Sequence, residues 1–379
     1  MYEDNKEIAT SFIKTFSREA TKLNVVFLKN FAPSITKIVL LKLIKAMFVE
    51  NEKTTNIYSL DWLRGIASLM VCFFHVKKYI WQTDCPNLLT RIFQEGYLGV
   101  YMFFVISGFV IPYSMHAKNY SIRKFWRFVA KRTIRIEPPY VIFVLLLFLW
   151  NIILYYWKGW GSFSLFSLKD FLLNITYLVP FFKSKWILII FWTLAVEFQF
   201  YILTGLLYDS LMKNHFIRYA LYIALLGLGI LIPEKYTTVF NNYIYFLIGF
   251  QTFLFYTKQI KRSEYLLSTA LSLIFIYFVE LKIAVPVVAF TLLAIFFLNY
   301  KTKISDFFGK ISYSLYLTHG LAGGAVAVFT VTRMLPWFRF SLAIMVSIAF
   351  AFIYFLLVEK IFLKWSKKIK YNPSENLPG

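Results

Sequence analysis

Charge and cysteine are both scarce in this sequence. Only 16% of its 379 residues are charged, and acids are the rarer sign, with 19 Asp and Glu against 41 Lys and Arg. Soluble domains carry about 25% charged residues, so a chain this long and this poor in charge cannot cover a core with a water-facing surface. The two cysteines, Cys72 and Cys85, supply neither a disulfide framework nor a zinc spacing, and no metal site is expected. The polar, basic first 56 residues lack a short apolar run ending in a small-residue cleavage site, so no secretory signal peptide is expected. What is abundant is apolar: 59% of residues are hydrophobic and 21% aromatic, with a mean hydropathy of +0.62. That balance excludes an ordinary soluble enzyme, a disordered chain and a domain held by one membrane anchor. The formal net charge of +22 then reads as loops facing anionic lipid rather than as a nucleic-acid surface.

A membrane-spanning helix needs about 20 apolar residues. Ten apolar stretches fall near residues 57–77, 97–116, 137–157, 187–208, 219–233, 239–256, 264–280, 284–300, 311–332 and 339–360. The expected fold is all-α, a polytopic membrane protein of about ten transmembrane helices around a central pore, occupying residues 57–360. With the N-terminus inside and the sides alternating, 29 basic residues fall on inside segments and 11 on outside ones, and Arg64 alone lies within a span. Both termini are therefore expected in the cytoplasm. Residues 1–56 read as a basic tail in which 30–49 forms an interfacial helix, its Lys37, Lys42 and Lys45 confined to an arc of about 140°. Residues 361–379 read as a second cytoplasmic tail. The longest outside loops are 78–96 and 158–186, the latter an aromatic interfacial segment with Trp157, Trp160, Phe163, Phe166 and Phe171.

An ionisable side chain in hydrocarbon costs at least about 2.5–3.5 kcal/mol, so each one within a span needs a reason. Four stand out: Arg64, His75, Glu197 and His319. Arg64 and His75 are eleven residues apart, close to three helical turns, which sets them on one face about 16 Å apart along the axis. Ser68 and Cys72 lie near the same stripe. Arg132 and Arg135, three residues apart, share a helix side and can grip a phosphate bidentately. Pro138 and Pro139 follow and are expected to break or reset that helix. Glu197 sits with Thr193 a turn before it and Tyr201 a turn after it, and can orient a histidine, accept a proton or pair with an arginine. Ser312, Tyr316 and His319 recur on one helix face. Ser107-Gly108 inside a span reads first as close helix packing.

Taken in order, these pieces form a pattern: Asp61…Arg64-Gly65…His75; Gly99-Val100 followed by Phe103 to Phe109; Arg132-x-x-Arg135-x-x-Pro138-x-Tyr140; Trp192-Thr193-Leu194-x-x-Glu197-x-x-x-Tyr201; and Gly309-x-x-Ser312-Tyr313-Ser314-Leu315-Tyr316-Leu317-x-His319. Over about residues 57–360 the chain resembles acyltransferase family 3, the bacterial membrane acyltransferases that modify cell-surface sugars. The resemblance implies transfer of an acyl group, usually acetyl from acetyl-CoA, to a saccharide hydroxyl in the bacterial cytoplasmic membrane. It also implies His75 as the catalytic histidine, Arg64 as the family's arginine earlier on the same helix and Arg132 with Arg135 as the coenzyme-binding pair; Glu197 and His319 match polar family positions. Two departures are Trp62, where glycine is common, and the missing proline after Glu359. No hydrolase-like domain follows the last span, so direct acylation of a lipid-linked or surface glycan is expected. On this reading the CoA phosphates rest on Arg132 and Arg135, with Arg64 as a further positive contact, and the arm reaches His75, which removes the hydroxyl proton. Tyr316 and His319 are the candidates for stabilising the oxyanion. The rival class is a transporter using its intramembrane Arg, His and Glu as a proton or solute pathway.

Overall fold

The computed structural model describes residues 57–369 except 83, 85, 160–167, 183 and 331–333. The tail 1–56 with its candidate interfacial helix 30–49, Cys85, Trp160, Phe163, Phe166 and residues 370–379 lie outside the described residues. Those described contain helices and connecting loops and no strand.

Among the described residues thirteen α-helices follow one another: α1 (Ser59–Trp81), α2 (Leu88–Gln94), α3 (Gly99–His116), α4 (Phe125–Lys158), α5 (Leu168–Ile175), α6 (Phe191–Lys213), α7 (His215–Leu231), α8 (Tyr243–Tyr256), α9 (Arg262–Val279), α10 (Ala284–Phe297), α11 (Lys303–Phe329), α12 (Pro336–Tyr354) and α13 (Lys360–Lys368). A π-helical turn, Phe355–Glu359, joins α12 to α13 without a break. Over its described residues each of the ten apolar stretches lies largely in helix. By length and composition, however, six helical segments among the described residues qualify to cross a membrane: Ser59–Trp81, Leu88–His116, Ile122–Trp157, Phe191–Lys213, Arg262–Val279 and Pro336–Lys368. The fold is thus all-α and polytopic, with six qualifying spans rather than the ten expected. Helices α7 and α10 are apolar but shorter. Helix α11 has 27 residues, yet it carries serines, a threonine, a histidine and glycines where it meets its neighbours, which lowers its hydropathy.

Two close crossings set the frame. A Cβ on Gly108 of α3 would collide with the Phe246 carbonyl of α8, and one on Gly249 of α8 with the Val105 carbonyl of α3. The other joins α1 to α11: a Cβ on Gly65 would come within 2.7 Å of Phe308 Cβ, and one on Gly309 within 2.6 Å of Asp61 Cβ. Small residues let helix backbones approach this closely, which is the packing mode that works where lipid removes the hydrophobic driving force. The reading of Gly108 as a packing residue holds. Trp62, the departure from the glycine common at its position, donates its indole N–H to the Tyr300 carbonyl at 3.1 Å and packs its ring on Tyr300, tying α1 to the segment that precedes α11.

The diproline does not end its helix. Helix α4 runs unbroken through Pro138 and Pro139 for 34 residues. Proline removes backbone hydrogen bonds in that stretch, and neighbouring helices bond the backbone there: the Tyr313 hydroxyl donates to the Ile136 carbonyl at 2.9 Å and the Tyr354 hydroxyl to the Pro139 carbonyl. These bonds tie the diproline turn of α4 to α11 and α12.

Candidate active site

The start of α11 is fixed by a reciprocal capping box between Thr302 and Ser305, which satisfies two donors that a helix start leaves open. From there Gly309, Ser312, Tyr313 and Tyr316 fall on one face at helical spacing and line a cavity of about 240 Å³. Helix α6 contributes Thr193, Leu194, Glu197 and Tyr201, again one face. Asp61 and Arg64 come from the first turns of α1, Ser107 from the middle of α3, Arg132 and Arg135 from α4, and Glu359 from the π turn. A π turn shifts the register of a helix and is often found at functional sites; this one holds a carboxylate in the wall. Lys310, with its side chain 58% exposed and ion-paired to Asp306, marks where the cavity reaches the surface.

The cavity gathers three of the predicted cations. Arg132 is buried, donates to Ser114 Oγ at 2.8 Å and lies over the Phe128 and Tyr201 rings, with centroid distances of 5.6 and 5.7 Å. Arg64 and Arg135 also line the wall, and among the described residues neither makes a hydrogen bond or an ion pair. Glu197 does not pair with an arginine: its Oε1 accepts from Ser107 Oγ and from the Tyr201 hydroxyl, each at 2.6 Å. Glu359 accepts from Ser314 Oγ. Glu197 and Glu359 are thus held by hydroxyls, while Asp61 lines the wall with Arg64, and two guanidiniums face a confined space with donors unspent.

The predicted site residues fall into two groups. Arg64, Arg132, Arg135, Glu197 and Tyr316 line the cavity; His75 and His319 do not. The separating element is Tyr316. Its hydroxyl meets Thr193 Oγ1 and the Ile190 carbonyl, and since the Thr193 hydroxyl donates to that same carbonyl at 2.8 Å, the phenol proton goes to the Thr193–Ile190 pair. On its other side the Tyr316 ring lies 6.2 Å from His319, and His319 lies 5.1 Å from His75, centroid to centroid. His75 is half-buried, beside Phe74 and Tyr79.

These bonds redistribute the roles the sequence allowed. The phenol proton of Tyr316 is engaged, so donation to an oxyanion requires leaving Thr193. His319 Nδ1 faces its own helix's Leu315 carbonyl at 3.0 Å. A carbonyl only accepts, so Nδ1 carries the proton and Nε2, which has no partner, is a bare acceptor in the neutral ring. An acceptor cannot stabilise an oxyanion. Nor does Glu197 touch His75. The residues that sequence reasoning passed over are Asp61 and Glu359 as cavity walls and Ser107 as a partner of Glu197. Glu359 had a signal, an acid within 355-FLLVEKIF-362; it reads as a helix end unless the helix is known to continue to Lys368.

Fold and cavity together define a polytopic membrane protein with a cationic chamber between its helices. Residues 57–356 match the family model described as an acyltransferase domain, and the chain belongs to that family, acyltransferase family 3. A protein of the Acidianus two-tailed virus, provisionally named an acetyltransferase, is 27% identical over 68% of this chain and 80% of its own length. Proteins provisionally named O-acetyltransferases from Staphylococcus aureus strains COL and MSSA476 are 24% and 23% identical, each over 86% of this chain. The match covers 61% of the staphylococcal proteins' own length. No solved structure matches the chain.

Proposed function

We propose that this chain is an O-acyltransferase of the bacterial cytoplasmic membrane. It moves an acyl group, acetyl in the first instance, from acyl-CoA to a hydroxyl of a lipid-linked or cell-surface saccharide. The observation that carries the proposal is the pair of guanidiniums, Arg64 and Arg135, lining one chamber without a hydrogen bond or ion pair among the described residues. Both guanidiniums are half-buried with hydrogen-bond donors unused, and an anionic ligand with phosphate groups supplies acceptors that match the planar fork. Pockets that enclose a drug-sized ligand measure about 300–1,000 Å³. A chamber of about 240 Å³ therefore suits the acyl-bearing arm or a phosphate group rather than a whole coenzyme, with the remainder of the donor at the Lys310 mouth. Orientation follows from the excess of basic residues on the segments assigned to the inside, which favours both termini and the donor mouth in the cytoplasm.

His75 is the general base in this proposal. It takes the proton of the saccharide hydroxyl while that oxygen forms a bond to the thioester carbonyl. The carbon–sulfur bond breaks, and the thiolate leaves with the proton from His75. Counted along α1, His75 lies about 16 Å beyond Arg64, so a donor anchored on the arginines reaches it through an extended arm that passes Tyr316. The test is radiolabelled acetyl transfer by the protein reconstituted in liposomes with acetyl-CoA and a lipid-linked saccharide extract. Label should appear in the saccharide with wild-type protein and be lost with His75→Ala at equal expression. Solute flux without acetyl-CoA consumption would instead make the protein a transporter.

A further inference from the structure

We infer that His319 is a positioning residue that holds His75 in one tautomer, the two imidazoles acting as a base and its orienter. The inference rests on His75 being the base, as proposed above. Histidine is scarce here, four residues in the whole chain, and two of the four meet in the interior. His319 is fully buried, its Nδ1 proton is fixed on the Leu315 carbonyl, and its Nε2 has no partner. An unsatisfied buried acceptor is costly, so the arrangement is unfavourable unless something donates to it. The nearest ring is His75, 5.1 Å away between centroids and inclined at 44°. Two imidazoles joined by an N–H···N bond of about 2.9 Å have centroids roughly 5 Å apart, so a change of ring tilt completes the bond without moving either backbone.

The asymmetry of burial assigns the order. His75 is half-buried, whereas His319 is fully enclosed. Donation from the near ring nitrogen of His75 to His319 Nε2 leaves the far nitrogen of His75 bare, which is the form a base requires. The same hydrogen bond stabilises the imidazolium that exists while His75 holds the acceptor's proton. This is base-and-orienter logic, in which the third group fixes a tautomer and transfers nothing itself. His319 gains no proton, and the balance of the acyl transfer is unchanged.

The experiment combines kinetics with nitrogen-15 NMR of histidine-labelled protein in nanodiscs, where protonated and bare ring nitrogens are distinguished and the His75 signal is assigned by its loss in His75→Gln. Wild-type protein should show one tautomer at His75. His319→Phe, which removes the acceptor, should give a mixture and lower kcat by on the order of 10²-fold, with KM for acetyl-CoA unchanged. His319→Gln, whose amide oxygen can accept in place of Nε2, should restore the single tautomer and most of kcat. A mixed tautomer in wild-type protein, or wild-type kcat and an unchanged His75 signal in His319→Phe, overturns the inference. If His319→Phe does not fold, the wild-type spectrum and His319→Gln still decide it. Should His75→Ala keep full activity, the acyl-transfer mechanism itself fails; should His75→Ala be dead and His319→Phe fully active, only the role of His319 fails.

Discussion

The two ends of α1 have opposite solutions to the same problem. Near its start, Arg64 enters a chamber that it shares with Arg132, Arg135, Glu197 and Glu359. Three turns later, His75 meets a second imidazole outside that chamber. The first region satisfies Glu197 and Glu359 with hydroxyls from Ser107, Tyr201 and Ser314 and leaves two guanidiniums without a hydrogen bond among the described residues. The second leaves one bare nitrogen, at a neutral group. A permanent cation inside a membrane protein calls for a counter-charge that arrives and departs. A neutral imidazole calls only for a hydrogen bond, and so can be kept within the protein. Under the proposed function, donor recognition and proton transfer are divided between a region that needs charge and one that excludes it, with Tyr316 between them.

The division is breakable, and the largest effect should come from the proton-transfer side. His75→Gln preserves the size and polarity of the side chain but removes the base, and should lower kcat for acyl transfer by about 10²–10⁴-fold while binding of acetyl-CoA, read by calorimetry, stays at the wild-type level. Arg135→Ala should do the converse. A hydrogen bond to a charged group is worth about 1.5–3 kcal/mol, so KM for acetyl-CoA should rise by on the order of 10- to 100-fold with kcat little changed; a loss of kcat instead would mean that the two regions are one. Packing beneath the chamber is the third point of attack. Gly249→Leu drives a side chain into the Val105 backbone, and overpacking of about 1–3 kcal/mol or more should lower the midpoint of thermal unfolding in detergent and depress both kinetic constants together. The smallest effect is expected at the boundary. Tyr316→Phe removes one neutral hydrogen bond, about 1 kcal/mol, and should change kcat less than tenfold. A loss as large as that of His75→Gln would show that the phenol takes part in the chemistry.

The sequence made the cavity partly legible and the histidine pair hardly at all. Arg132 and Arg135 are three residues apart, and helical periodicity alone puts them on one side; the structure has both in the same wall. Glu197 and Tyr201 are four apart and bond as that spacing allows. Spacing also suggested Thr193 as a neighbour of Glu197, but Thr193 turns to Tyr316 of α11 instead, a contact between residues far apart in the chain. The diproline misled for a similar reason. Its local rule is to break a helix, and the tyrosines that bond the backbone beside it come from α11 and α12.

Composition and periodicity by themselves determined that this chain is helical, membrane-embedded and cationic within its spans, because hydropathy and the 3.6-residue repeat are local properties that any neighbour must respect. Tertiary structure alone decided that Arg64 and His75, one face of one helix, belong to different compartments, that His319 rather than Glu197 stands beside His75, and that Glu359 enters the chamber on a π turn. Each of these depends on which helix packs against which. That choice is made by close crossings such as Gly65 on Phe308 and Gly108 on Phe246, and no single segment carries the partner's half of such a contact.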